Sequence, residues 1–462
     1  MKRGNIARAS GRWAIAGPDG HTSSHDTIPD LLAELDKHGR TAFILRDAPA
    51  VLSIGVHLQN QAHATDGELP QVSARGTGGG SIEIGGVRKA GSAWHITTGQ
   101  AIVPNAAAEK SPAGPKPDTD DPAQLAQWSR ELHDSWQLAV DDLGLDGSKL
   151  SAGTAAAAIL PRSWIKASAK LALSPAWLDV RKAYAGGRVA CFKPGWTGQA
   201  VEHDLKIAYG AALAGLLGPM PDFQLYPDRR CLAATPAWLD VDVEVDAQIA
   251  PLPRRDPAHP WKLEWPRVGS WRGWYTAADL ETPGVKVRRV HACHRGRYRT
   301  TLADAILPLL ERRETADSWQ RSIIRQLVVS LSGKLGQRPI AWKLWAPLAD
   351  ARPPPGAVHV GSMRGDGLTL YPSTPDRTPP TLIPMVASYV TARTRRKLHT
   401  AIAEVGSDRV IYCDTDSIHV PAGTPPPSDS GSNPGQWAEK ESGHAEYMNR
   451  RRYRIGSKRV NC

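Results

Sequence analysis

The feature that most restricts the fold of this chain is a pair of acidic residues, Asp414 and Asp416, between two short apolar runs. The surrounding segment, residues 409–423, reads RVIYCDTDSIHVPAG. Apolar runs on either side of a polar turn predict a β-hairpin with both carboxylates at its tip. Because buried unpaired charge is costly, this pair indicates that the tip binds a cation. Hard divalent metals prefer carboxylate and phosphate oxygens, which favours phosphoryl or nucleotidyl transfer.

The D-T-D triplet by itself leaves two other interpretations open. It is also typical of a solvated turn that binds nothing. Sugar-nucleotide glycosyltransferases also hold a metal with a D-x-D motif, so a second enzyme class remains a hypothesis. Other motifs in the sequence distinguish between these interpretations.

The overall charge suits a polyanionic partner. Lys and Arg number 57 against 46 Asp and Glu, which gives a net charge of +11. Such an excess is compatible with nucleic-acid binding without requiring it. The five cysteines are scattered without a C-x-x-C pair, so the spacing indicates neither a disulfide framework nor a zinc site. No stretch reaches the ~18 apolar residues of a membrane span, and we expect a cytoplasmic protein with no membrane partner.

Periodicity and composition divide the chain into recognisable segments. Stretches rich in Pro, Gly and Ser predict exposed loops over 104–123, 353–356 and 421–435. Apolar residues at helical spacing predict helices over 29–39, 123–144, 318–336 and 384–406. Apolar runs predict strands over 41–47 and 81–86, and residues 202–218 predict a strand that runs into a helix. The first 150 residues therefore favour an α/β domain.

Two carboxylate motifs carry a family resemblance. Tyr412 to Ser417 (YCDTDS) resembles the Y-x-D-T-D-S motif of family B DNA polymerases. Upstream, Asp204 to Gly210 (DLKIAYG) resembles the D-x-x-S-L-Y-P motif of the same family. Here Ile207 replaces the serine and Gly210 replaces the proline. In that motif the Asp supplies the other metal ligand and the Tyr lies under the incoming sugar.

Three further segments follow in the family's order. Tyr184 to Gly187 (YAGG) resembles the Y-x-G-G loop of protein-primed phage and linear-plasmid polymerases. Residues 325–333 (RQLVVSLSG) resemble the fingers helix K-x-x-x-N-S-x-Y-G, with Arg, Val and Ser in place of its Lys, Asn and Tyr. Residues 435–439 and 451–453 resemble the segment with a K-x-Y motif that contacts the primer strand.

The resemblance covers roughly residues 170–462 and implies an α+β fold. Its palm is a small antiparallel sheet with helices, joined to fingers and preceded by an RNase H/exonuclease-like α/β domain. The implied domains are a degenerate exonuclease-like domain (1–150), the first part of the palm (151–220), an insertion (221–305), the fingers (306–345) and the second part of the palm (346–462).

The resemblance also implies roles for individual residues. Asp204 and Asp416 would hold two Mg²⁺ or Mn²⁺ ions about 3.5–4 Å apart, with Asp414 as the third catalytic carboxylate. The implied nucleotide-binding residues are Tyr209, Arg325, Ser330 and Gly333. The implied DNA contacts are Tyr184, Gly186, Gly187, Lys334, Arg451 and Tyr453. The implied partners are a DNA primer–template and dNTPs, and a terminal protein or a processivity protein is a further candidate.

Two of these residues need separate comment. An arginine is a poor acid because its pKa stays above ~12, so we expect Arg325 to keep nucleotide binding while turnover falls. Tyr209 is also compatible with a plain core tyrosine.

Parts of the family pattern are missing. The D-x-E expected near the start of the chain is absent, and Trp128 and Leu132 stand at the positions of its Y-x-x-x-D motif. We therefore expect a polymerase without proofreading. The sequence ends nine residues after Tyr453, where the family continues into a thumb, so we expect low processivity. These departures keep open a second hypothesis, a catalytically impaired DNA-binding relic.

Overall fold

The structure is a computed structural model and describes most of the chain. The described residues are 2–17, 19, 21–37, 41–45, 71–74, 82–87, 93–98, 105–146, 152–171, 175–215, 217–219, 224–226, 237–256, 263–295, 298–336, 341–344, 358–361, 367–373, 381–449 and 452–461.

The described residues form runs of strands separated by single helices or groups of helices. The strands are β1 (Lys2–Ala9), β2 (Arg12–Ala16), β3 (Thr22–His25), β4 (Thr41–Leu45), β5 (Gln71–Ala74), β6 (Ile82–Val87), β7 (Ala93–Thr98), β8 (Val189–Cys191), β9 (Thr197–Leu205), β10 (Leu217–Pro219), β11 (Gln224–Tyr226), β12 (Ala237–Asp246), β13 (Arg254–Arg255), β14 (Leu263–Glu264), β15 (Val268–Thr276), β16 (Val285–Arg295), β17 (Tyr298–Thr301), β18 (Ala341–Leu344), β19 (Val358–Gly361), β20 (Gly367–Ser373), β21 (Tyr412–Asp414), β22 (Ser417–Pro421), β23 (Trp437–Asn449), β24 (Arg452–Ile455) and β25 (Lys458–Asn461). The helices are α1 (Ile28–Lys37), α2 (Asn105–Ala108), α3 (Pro122–Asp142), α4 (Ala152–Ala156), α5 (Arg162–Leu171), α6 (Pro175–Ala183), α7 (Ala208–Ala214), α8 (Ala277–Leu280), α9 (Ala303–Thr315), α10 (Ser318–Leu335) and α11 (Pro384–Val405).

The predicted helices and strands are confirmed within the described residues. The predicted loop at 421–435 holds turns after the end of β22, whereas the one at 104–123 begins with the short helix α2. The predicted loop at 353–356 lies outside the described residues. The observed mixture of helices and antiparallel sheets also confirms the α+β class.

The chain divides into two compact units. The first comprises Met1–Ala158, Thr315–Leu327 and Arg338–Thr378. Its sheet has the strand order β19-β20-β18-β5-β6-β7-β4-β1-β2-β3. β4 pairs with β1 and β7 in parallel, and the other pairings are antiparallel. Helix α3 begins at Pro122, where the Asp121 carboxylate accepts a hydrogen bond from the Ala123 N–H at 2.9 Å, and it packs on β1 and β2.

The structure places part of one predicted domain in a different unit. The sequence analysis assigned residues 346–462 to the palm, but β19 and β20 belong to the sheet of the first unit. They reach that sheet through β18, where Lys343 lies opposite Ser73 of β5. Short-range patterns cannot show such a pairing between strands that are distant in sequence.

The second unit comprises Ile159–Glu314, Val328–Gln337 and Pro379–Cys462. Its largest sheet is antiparallel, with the order β25-β24-β23-β9-β22-β21-β8. Helix α11 begins at Pro384 and ends before Gly406, whose φ is +90°. It covers one face of this sheet through a buried cluster that includes Leu398, Ile402, Cys413, Ile418 and Trp437.

A smaller antiparallel sheet of the second unit has the order β11-β16-β12-β15. Alternation along β12 buries Leu239, Val241, Val243 and Val245 in one cluster. Cys293 on β16 is disulfide-bonded, which the cysteine spacing did not predict because spacing does not show which thiols meet in space. Among the described helices, none is long and apolar enough to cross a membrane.

Candidate active site

The predicted hairpin is present, and its tip carries both acidic residues. Asp414 lies opposite Ser417, so Thr415 and Asp416 form the turn. Thr415 has a φ of +57°, in the left-handed region that β-branched residues rarely adopt. The Asp416 N–H donates to the Asp414 carbonyl at 2.5 Å, and the Thr415 hydroxyl donates to the Asp414 carboxylate at 3.1 Å. Such strain is often retained where a side chain must be held in place for function.

Strand β9 brings the third carboxylate to the same end of the sheet. Asp204 lies opposite Ser417 in the β9–β22 ladder. The Leu205 N–H donates to the Asp416 carbonyl at 2.9 Å, which fixes the tip against the end of β9. Asp204 and Asp414 are 210 residues apart in the sequence, and their two motifs meet on neighbouring strands.

A lysine that the sequence analysis did not identify contacts this group. The Lys440 ammonium lies 2.9 Å from the Asp204 carboxylate and 3.3 Å from the Glu202 carboxylate. Glu202 is only 1% exposed and also pairs with Lys458 at 2.7 Å. Burial lowers the pKa of Lys440, but Asp204 and Glu202 outweigh it and raise the pKa above the ordinary value. Lys440 is therefore a firmly charged partner of Asp204.

The donor chemistry of these residues fits a hard divalent cation, but the present arrangement does not form a complete metal site. Carboxylates from neighbouring strands are the ligands that Mg²⁺ and Mn²⁺ prefer. Within the described part of the chain, however, no group of three or more His, Cys, Asp or Glu residues is placed to hold a metal ion. Asp204 is instead paired with Lys440. Metal binding by Asp204 and Asp416 stays a prediction.

The Y-x-G-G segment lies directly against the hairpin tip. The Thr415 N–H donates to the Arg188 carbonyl at 2.6 Å, and Asp414 lies opposite Val189 where β8 pairs with β21. A Cβ atom added to Gly187 would lie 2.8 Å from the Thr415 hydroxyl oxygen, whereas one added to Gly186 would meet nothing within 4 Å. Gly187 is thus needed for the close approach of this segment to the tip.

A buried arginine holds the same segment from helix α11. The Arg395 guanidinium donates to the carbonyls of Ala185 and Gly186 and pairs with Asp279 at 2.6 Å. The side chains of Arg395 and Asp279 are 1% and 3% exposed. Asp279 also accepts hydrogen bonds from Thr276 in the capping box of α8. Two guanidinium nitrogens of Arg395 donate to one oxygen of Asp279, and this buried pair fixes the loop only because both charges are compensated.

The sequence analysis missed Arg395, although a signal was present. Polar residues recur at helical spacing on the buried face of α11, at Ser388, Thr391, Arg395 and His399. Polar residues on an otherwise apolar helix face indicate a buried polar network rather than a solvated surface.

Tyr209 lies near the carboxylates. Ile207 is the N-terminal cap of α7 and has a φ of +47°, so the chain turns sharply after β9. Burial raises the pKa of Tyr209, and the nearby charges of Asp416 and Asp414 raise it further. The ring is half-buried. The structure therefore brings Tyr209 to the site, and its contact with a sugar stays a prediction.

Helix α10 carries the residues predicted for the fingers. Arg325 is exposed and belongs to the first unit, whereas Ser330, Gly333 and Lys334 belong to the second. The Ser332 hydroxyl donates back to the Val329 carbonyl at 2.7 Å. The end of α10 passes close to Tyr184, since a Cβ atom on Gly336 would lie 2.6 Å from its hydroxyl. The nucleotide and DNA roles of these residues stay predictions.

Tyr453 lies in the interior rather than on an open surface. It is 5% exposed and stacks with Tyr447 at 5.5 Å between ring centroids, next to Tyr412 and His419. This aromatic cluster joins the two hairpin strands, which carry Tyr412 and His419, to β23 and β24, which carry Tyr447 and Tyr453. Arg451 lies outside the described residues, so its predicted DNA contact and that of Tyr453 stay predictions.

In the first unit, helix α3 presents a different pair of residues to β1 than the sequence analysis named. Trp128 and Leu132 are buried, but the polar contacts with β1 come from the next residues, Ser129 and His133. The Ser129 hydroxyl lies 3.0 Å and the His133 Nδ1 2.9 Å from the side-chain oxygen of Asn5. Residues four apart lie on one helix face, so a shift of one position selects a different pair.

No family model matches the chain, and no curated protein matches it by sequence. Solved structures match the fold of the chain. Phi29 DNA polymerase superposes with a TM-score of 0.70 over 100% of this chain and 90% of that chain, at 15% identity. The chain shares the fold of phi29 DNA polymerase. Its complex with primer-template DNA and incoming nucleotides gives a TM-score of 0.69 over 98% and 87% of the chains, at 15% identity. Its complex with single-stranded DNA gives 0.68 over 100% and 89%, also at 15% identity.

The likeness to phi29 DNA polymerase confirms, at the level of the fold, the resemblance inferred from the motifs. At 15% sequence identity, the superposition shows a shared architecture and not a shared chemistry.

Proposed function

We propose that the chain is a template-directed DNA polymerase that adds deoxynucleotides to a primer by metal-dependent nucleotidyl transfer. One observation carries the proposal. In a chain with the fold of a DNA polymerase, Asp204 and the Asp414/Asp416 hairpin meet on neighbouring strands of one antiparallel sheet. The two sequence motifs resemble the carboxylate motifs of family B polymerases, so motif and geometry support the same site.

The proposed layout follows that comparison. The sheet of β8, β9 and β21–β25 is the palm, with α11 across one face. Helices α9 and α10 are the fingers, and β11, β12, β15 and β16 belong to the insertion. The N-terminal part of the first unit is the exonuclease-like domain. DNA primer–template and dNTPs are the proposed partners, and solved phi29 polymerase complexes contain primer-template DNA and incoming nucleotides.

The proposed roles differ between the residues of the site. Asp204 and Asp416 would hold Mg²⁺ or Mn²⁺, and Asp414 would support them. When bound, the metal ions supply activation of the primer hydroxyl and neutralisation of charge on the triphosphate. Tyr209, half-buried near these carboxylates, would leave no room for a 2′-hydroxyl and so favour deoxyribose.

We also propose that the enzyme has no proofreading activity. A two-metal nuclease site requires carboxylates, and the polar group between β1 and α3 consists of Asn5, Ser129 and His133. These side chains hydrogen-bond to one another, and none of the three is a carboxylate. The group therefore serves packing between α3 and β1 better than metal binding.

A second hypothesis is a catalytically impaired DNA-binding relic. The observation in its favour is the pairing of Asp204 with Lys440, which places a positive charge where a metal ion would bind. A glycosyltransferase is not favoured, because the fold is that of a DNA polymerase.

The decisive experiment is extension of a labelled primer–template by the purified protein with Mg²⁺ or Mn²⁺ and dNTPs. We expect template-directed extension that the Asp414→Ala/Asp416→Ala variant lacks. Asp408→Ala is the matched control, since Asp408 is an exposed carboxylate in the turn between α11 and β21. Tight primer–template binding without extension by either metal would favour the relic.

A further inference from the structure

A β-bulge directs Lys440 to the candidate site. In the β23–β9 ladder, Glu439 lies opposite His203 and Glu441 lies opposite Glu202, so Lys440 is the extra residue of the bulge. Side chains alternate between the faces of a regular strand, and a bulge interrupts this alternation and can turn a side chain toward a site. Here the ammonium of Lys440 reaches the carboxylates of Asp204 at 2.9 Å and Glu202 at 3.3 Å.

The two carboxylates differ in their other partners. Glu202 is 1% exposed and has a second cation, Lys458, whose ammonium lies 2.7 and 2.9 Å from its two oxygens. For Asp204, the cation in ion-pair contact among the described residues is Lys440. The Glu202 charge is therefore compensated without Lys440, whereas Asp204 depends on it in the metal-free protein.

We propose that Lys440 is a built-in counter-ion of Asp204 that a divalent cation must displace in order to bind there. Lys440 contacts Glu202 already, so it can give up Asp204 and remain paired. Lys440 thus weakens metal binding and sets the metal concentration at which the site fills. The inference rests on the proposed function, because it takes Asp204 as a metal ligand, and it makes Lys440 a positioning residue rather than a catalytic one.

The test is direct binding of Mn²⁺ alone to the full chain at fixed pH, followed by the loss of the free-ion electron paramagnetic resonance signal. Lys440→Met removes the charge and keeps the length of the side chain. We expect it to bind Mn²⁺ about tenfold more tightly than the wild type, which corresponds to ~1.4 kcal/mol. Lys440→Arg keeps the charge and should bind no more tightly than the wild type. In Lys440→Met/Asp204→Ala the gain should disappear.

A merely structural lysine would not give this pattern, since its loss would weaken a folded site rather than strengthen metal binding. Thermal melts establish that each variant is folded, and Lys440→Gln serves the same comparison if Lys440→Met melts early. Equal or weaker Mn²⁺ binding by the neutral variants overturns the inference.

Primer extension by the wild type in the same buffer separates the two proposals. If the wild type extends primers while the neutral variants bind Mn²⁺ no more tightly, only the role of Lys440 is refuted. If no variant binds Mn²⁺ and the wild type does not extend primers, the proposed function is refuted together with it.

Discussion

Replacement of Gly187 by alanine should disturb the hairpin tip specifically. The added Cβ would lie 2.8 Å from the Thr415 Oγ1 and 2.9 Å from the Thr415 Cβ, distances that real Cβ atoms essentially never show. Thr415 cannot easily move away, because its backbone is in the left-handed region and its N–H donates to the Arg188 carbonyl at 2.6 Å. Overpacking of this kind costs about 1–3 kcal/mol.

The adjacent glycine provides a matched control. A Cβ on Gly186 would meet nothing within 4 Å, so Gly186→Ala should leave stability unchanged or raise it by about 0.4–1 kcal/mol through the entropy of the unfolded chain. Both glycines belong to the same sequence motif, and the motif alone would treat them alike. The structure instead predicts opposite outcomes for neighbouring residues.

Urea unfolding measures the stability of both variants, and primer extension measures their activity. Displacement of the tip by about 1 Å should lower the extension rate by roughly 10²-fold, so we expect Gly187→Ala to lose far more activity than stability. If Gly187→Ala is as stable and as active as Gly186→Ala, the packing of this loop on the tip does not position the carboxylates.

Three further predictions concern single side chains of the second unit. Arg395→Met leaves Asp279 buried without its partner and should lower the free energy of unfolding by about 3–5 kcal/mol. Arg396→Met removes a half-exposed ion pair and should lower it by at most about 1 kcal/mol. Urea unfolding measures both differences. Tyr209→Ala should raise incorporation of ribonucleotides relative to deoxynucleotides at least about tenfold in primer extension. Burial, with Arg188 and Arg395 nearby, lowers the pKa of His399 to about 3, so the unfolded state, with a pKa near 6.5, takes up the proton first as the pH falls. Stability is therefore lost between about pH 6.5 and pH 3, and the loss is roughly 2 kcal/mol at pH 5. In His399→Leu the free energy of unfolding should fall by about that much less than in the wild type between pH 7 and pH 5.

Each of these has an outcome that contradicts it. Equal destabilisation by the Arg395 and Arg396 variants would mean that the buried pair does not secure the loop. An unchanged preference for deoxynucleotides in Tyr209→Ala would remove Tyr209 from sugar selection. The same pH dependence in the wild type and in His399→Leu would show that His399 does not remain neutral in the folded chain.

Local patterns were enough to predict the helices and strands that carry the candidate site. The hairpin around Asp414 and Asp416, the strand that ends near Asp204 and the long helix over 384–405 follow from apolar periodicity and turn residues within a few positions. The family resemblance also implied that the two carboxylate segments would meet, and the β9–β22 ladder shows them side by side. These properties depend on short stretches of sequence, and short stretches can be read without a structure.

The partners of those residues were decided by the tertiary structure. The pairing of Lys440 with Asp204 depends on a bulge in β23, and the contacts of Arg395 with Ala185 and Gly186 join segments about 210 residues apart. Which pair on α3 faces β1 changes with a shift of one residue. Strand register, bulges and helix rotation result from packing over the whole unit, because side chains distant in sequence must fill the same space. The sequence alone therefore identified the candidate groups, and the packed fold determined what lies against each of them.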